Sequence, residues 1–164
     1  MNRKLLGIYL NDHLAGSTVG LELVKRAVGS NKEGELGDFL ATLAQEIDAD
    51  RESLRAIMKR LEYGEDIPKK LTAWTAEKLG RLKPNGQLTG YSPLSRIVEL
   101  EGLTVGVRGK LSLWENLRAT FGEEVADRNL DGLIARANGQ LEGLTEHRTE
   151  AARVAFEDEI TRVA

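Results

Sequence analysis

The sequence predicts an all-α protein, a four-helix bundle with one long crossover. Three observations predict it. Apolar residues recur in steps of three and four along four long stretches, as one face of a helix requires. Only three prolines occur in 164 residues, so few helix interiors are interrupted. The connections between the stretches run short, long, short, which arranges the helices as two antiparallel pairs.

The best-defined stretch is 36–61. Leu36, Leu40, Leu43, Ile47, Leu54, Ile57 and Leu61 trace one seam, and the place it skips holds Asp50. This stretch lies in a second helix of about residues 32–63, with Gly64 as its stop. The first helix spans about residues 4–28, with Leu10, Leu14, Ser17, Leu21, Val24 and Val28 on its seam. Gly29-Ser30-Asn31 closes it, with Gly29 suited to a left-handed cap. Gly16 and Gly20 stand four apart and predict close approach of a neighbouring helix.

Asp66 and Pro68 open a shorter crossover helix of about residues 69–82, ended by Lys83-Pro84-Asn85-Gly86. Ser92-Pro93 starts the third main helix, about residues 93–121, as an N-cap followed by a first-turn proline. Its seam passes through Ile97, Leu100, Thr104, Val107, Leu111, Trp114 and Phe121. The fourth helix starts near Asp127 or Asn129 and spans about residues 129–160. Arg148 interrupts its seam between Leu144 and Ala151. All of this fits one domain, residues 1–164.

Composition works by exclusion. A net charge of -3 argues against bulk electrostatic binding to nucleic acid or to an anionic membrane. Aromatics at 5% leave little for base stacking. The absence of cysteine removes thiol catalysis, disulfides and cysteine metal sites. The opening residues begin like a signal peptide, but Asn11-Asp12-His13 interrupt the apolar run, so a cytoplasmic protein is expected. No stretch approaches the ~18 apolar residues of a membrane span.

Two pairs of long helices joined by a connection of about 30 residues resemble the ferritin-like superfamily in layout. The resemblance implies a bundle with metal ligands on facing helices. Its Glu-x-x-His motifs have no counterpart here, because Leu10 precedes His13 by three residues and Leu144 precedes His147. That departure points away from an enzyme. The expected function is a non-catalytic bundle with a structural or regulatory role, acting through a second copy or a protein partner. No cofactor is expected on that reading.

The alternative is a metal-binding oxidoreductase or metal-storage protein with an atypical site. Antiparallel pairing puts partners in the first hairpin at residue numbers totalling about 63, which brings His13 level with Asp50 and Glu46 one turn away. His, Asp and Glu suit iron, manganese or zinc. In the second hairpin partners total about 250, which sets Glu101 near His147 and Arg148. A pair of Arg148 with Glu101 or Glu99 is the simpler expectation there, and an anion pocket of Arg148, Arg108 and His147 the sharper one. Gly106 and Gly109 fall level with Gly143 and Gly139, which predicts close packing of helices three and four or a cavity beside them. Met58 and Trp114 read as core residues.

Overall fold

The computed structural model describes residues 2–66 and 91–160, with side chains through 157. Among these residues there are four long helices and no strand: α1 Arg3–Ser30, α2 Gly34–Arg60, α3 Pro93–Phe121 and α4 Leu130–Ile160. A 3-10 turn, Ala126–Arg128, joins the last two. The expected crossover helix, 69–82, lies outside the described residues.

The helix ends follow local chemistry. Asn2 accepts a hydrogen bond from the Leu5 N–H, and Ser92 accepts one from Ser95 with proline in the first turn behind it. The Asn129 side chain accepts from the Gly132 N–H and so caps α4. Two expected stops are corrected. The first helix continues through Gly29 to Ser30, and Asn31 ends it by donating its backbone and side-chain N–H groups to the orphan Ala27 carbonyl. The left-handed residue after α2 is Glu62 (φ 63°), not Gly64.

α1 packs antiparallel on α2, with Arg3 reaching the Leu61 carbonyl. It also packs antiparallel on α3, where the Tyr9 hydroxyl meets Asn116 and Arg26 meets Glu99. α4 lies against α3, and more lightly against α2. It follows that α2 and α3 run in the same direction, so the end of α2 and the start of α3 lie toward opposite ends of α1. The described ends of the connection between α2 and α3 are both fastened to α1. Asn11 donates to the Gly64 carbonyl and accepts from the Asp66 N–H, while Asn31 donates to the Tyr91 hydroxyl. Twenty residues of helix separate those anchors, roughly 30 Å at 1.5 Å per residue.

One apolar cluster runs through all four helices. Leu10, Leu14, Leu40, Ile57 and Leu144 are wholly inaccessible. Truncating any of them to alanine costs about 2–5 kcal/mol. On α3, Leu103, Leu113 and Leu117 are buried beside Val107 and Trp114, a wider face than one seam, because α3 packs against two neighbours. No described helix is long and apolar enough to cross a membrane.

Candidate functional site

The α2 seam steps from Ile47 to Leu54 through Asp50, so the helix carries a carboxylate into the core, where it is 2% exposed. Such a group needs partners, and three side chains supply them. Arg136 of α4 donates to Oδ1 through Nη2 and through Nε at 2.9 Å. Lys110 of α3 donates to Oδ2. Gln140 of α4 donates to the same oxygen at 3.4 Å. Gln140 also accepts from Lys110 at 2.5 Å and donates to Glu46 at 2.9 Å. Two acids and two bases thus form one neutral, connected layer across α2, α3 and α4. Burial pulls the Lys110 ammonium below the usual lysine range, and the Asp50 charge opposes that shift.

The layer forms one wall of a cleft between α1, α2 and α3, with a volume of about 320 Å³. That is the lower end of the range for small-molecule sites. Ile47, Leu54, Leu103, Leu113 and Trp114 give it an apolar lining. Its floor and rim carry Gly16 and Gly20 from α1 and Gly106 and Gly109 from α3. Among the described residues, a Cβ added at any of these four would meet nothing within 4 Å. The expected close packing is therefore corrected: Gly106 and Gly109 face the cleft rather than α4, and Gly16 and Gly20 press against no neighbour. Glycines that do relieve crowding look different here. A Cβ at Gly37 would lie 2.8 Å from the Asn31 carbonyl oxygen, and one at Gly102 would lie 3.0 Å from Leu23.

Asp12, His13, Ser17 and Arg51 complete the walls. His13 and Asp50 therefore open onto one cavity, as their expected level suggests. The His13 ring packs edge-on against Tyr9, with centroids 4.6 Å apart. Burial lowers its pKa, with Asp12 opposing, so the imidazole is neutral near pH 7. Glu46 reaches the layer through Gln140 rather than through His13. Among the described residues no three His, Asp or Glu side chains are grouped as a metal site requires. Arg51 has no acceptor among the described residues, and its Nε is buried; the Trp114 indole N–H is also buried without a partner.

The second expected polar layer is rearranged. Glu101 and Arg108 are exposed on α3. His147 stacks against Phe39 of α2 with centroids 4.7 Å apart, and the Arg148 Nε is buried without a partner. The acid that enters the core is Glu99, wholly buried, and its cation is Arg26 of α1 at 2.9 Å rather than Arg148. The reason is that Glu99 lies on the α3 face turned to α1. Tyr91 donates to its other oxygen at 2.8 Å. Burial raises the Glu99 pKa and pushes the Tyr91 hydroxyl up to about 12.

Sequence reasoning missed Lys110, Arg136 and Gln140. A signal for two of them was present. Leu103, Lys110 and Leu117 are spaced by sevens, and Gln140 falls between Ala137 and Leu144 at seam spacing. Lys110 and Gln140 also stand level at the register expected for the second hairpin, which Arg118 with Asp131 shares. Arg136 gave no such signal, because it reaches Asp50 by side-chain length from a partly exposed position.

Comparison with protein-family models, with curated proteins and with solved structures finds no match to this chain. The functional reading rests on the geometry of the cleft.

Proposed function

We propose that this protein is a non-catalytic binding bundle of the ferritin-like plan, whose cleft between α1, α2 and α3 takes up a small, largely apolar molecule. The neighbour order of the helices, and the fastening of residues 64, 66 and 91 to Asn11 and Asn31 of the first hairpin, support the plan. The observation that carries the binding role is the set of four open glycines. In helix interiors each costs about 0.8–1 kcal/mol relative to alanine, roughly 3–4 kcal/mol together. Among the described residues no packing contact offsets that cost at these positions. Side chains there would fill the cleft, so the sequence maintains a space at the expense of stability. The Asp50 layer is the rigid wall of that space. Its carboxylate is already held by an ammonium and a guanidinium, which favours a structural role over metal ligation by His13, Asp50 and Glu46.

The test fills the cleft from its rim. Gly106→Leu is expected to abolish fluorescence enhancement of an apolar dye, 8-anilinonaphthalene-1-sulfonate, while the melting temperature holds or rises. Unchanged dye binding would remove the reading. So would a fall in melting temperature of several degrees, which means that the space is already occupied by protein.

A further inference from the structure

The walls of the cleft are unequal in hydrogen-bonding capacity, and the inequality points to a ligand class. Four charged side chains line it: Asp12, Asp50, Arg51 and Lys110. Asp50 is committed to Lys110 and Arg136. Lys110 spends two of its three protons on Asp50 and Gln140. Asp12 is exposed, so water satisfies it. Arg51 is different. Its Nε is shielded from solvent, and no acceptor among the described residues meets its guanidinium. Arg51 is partly exposed, so its terminal nitrogens stay within reach of a ligand at the mouth of the cleft, and among the described residues nothing competes for them. His13, neutral near pH 7, adds no competing charge. Donors therefore exceed available acceptors beside an otherwise apolar surface.

We propose that the cleft binds a small amphipathic monocarboxylate, with its apolar body along the glycine floor and its carboxylate on the Arg51 guanidinium. This rests on the binding role proposed above and adds the charge of the ligand. A volume of about 320 Å³ corresponds to roughly ten non-hydrogen atoms at ~30 Å³ each, the size of a medium-chain acid. Guanidinium is suited to that anion because its fork meets both carboxylate oxygens. Asp12, an exposed acid on the α1 side of the cleft, weakens binding modestly.

The experiment compares octanoate with octanol by isothermal titration on the full chain. Octanoate is expected to bind at least about tenfold tighter than octanol, the size of one charge-assisted hydrogen bond. Arg51→Gln is expected to erase that advantage and leave octanol binding unchanged, while Arg51→Lys retains part of it. Asp12→Asn is expected to tighten octanoate about two- to threefold. Equal affinity for acid and alcohol in the wild-type protein would overturn the carboxylate assignment and leave the binding role standing. An octanoate preference that persists in Arg51→Gln would overturn the assignment of Arg51. Failure of both probes to bind would overturn the carboxylate proposal together with the reading beneath it. Circular dichroism melts of each variant separate loss of the fold from loss of binding.

Discussion

Two carboxylates are buried among the described residues, and they are treated differently. Asp50 sits at mid-length among donors from α3 and α4, with a lysine, an arginine and an amide on its two oxygens. Glu99 sits near the start of α3, with Arg26 on one oxygen and a phenol on the other. Arg96 stands one step removed, held by Asn31. The first carboxylate is over-supplied with charge, and the second leans on a neutral hydroxyl. For Glu99 burial outweighs its partners and its pKa rises. The lesson is that burial alone says little about an acid; the number of full charges brought to it, and from how many helices, sets two equally buried carboxylates apart.

Removing the better-supplied group should do the most damage. Asp50→Ala removes the one carboxylate that Lys110 and Arg136 meet directly, with Glu46 reaching them only through Gln140, and is expected to lower unfolding free energy by about 3–5 kcal/mol in urea titrations. Replacing the set together, Asp50→Leu with Lys110→Met and Arg136→Met, is expected to recover most of that loss, since an apolar layer needs no desolvation of ions. If the triple variant is as unstable as the single one, the layer contributes net stability and the contrast with Glu99 weakens.

The Glu99 cluster should respond less and differently. Glu99→Gln is expected to change stability by about 1 kcal/mol at neutral pH, because the amide oxygen can keep the bond from Arg26 while its NH2 group donates to the Tyr91 hydroxyl. Its signature is in the pH dependence. A carboxyl whose folded pKa lies above its unfolded value of 4.5 binds protons more readily when folded. The wild-type protein therefore loses stability as pH rises from the unfolded pKa through the raised folded one, and pays no such penalty below it. Glu99→Gln removes that slope. Unfolding curves between pH 4 and 8 that superimpose, apart from an offset, would mean the shift is absent.

The smallest effects test the same contrast between supplied and unsupplied surroundings at the glycines. Gly106→Ala, with nothing near its added Cβ, is expected to stabilise by up to about 1 kcal/mol. Gly37→Ala presses on the Asn31 and Lys32 backbone, and is expected to destabilise by about 1–2 kcal/mol. Thermal melts of the two should move in opposite directions.

Much of the fold was legible in the sequence because it is local. Ser92-Pro93 announces the start of α3, and the expected range 93–121 is the one observed. The α2 seam places Asp50 in the core without reference to any other helix. The partners of that carboxylate were not legible, because they depend on how two hairpins dock, a relation between residues 60 to 90 positions apart. Register within the second hairpin was readable, but which face of α3 turned toward α1 was not, and so Glu99 was matched with the wrong arginine. The glycines misled for a related reason. Small residues facing one another fit close contact and open space equally well until the separation of the helices is fixed.

The Asp50 layer has a consequence for assembly. Each hairpin is built from neighbours in sequence, so its own pairing forms quickly. The carboxylate belongs to the first hairpin, and Lys110, Arg136 and Gln140 belong to the second, so the layer closes only when the two meet. Leucine seams tolerate a slip of one helical turn, about 5.4 Å, with modest loss. A carboxylate that must meet two cations does not, since the slipped arrangement strands Asp50 in the core without them. Asp50 thus acts less as an adhesive than as a key, rejecting misaligned joints between halves that would otherwise slide.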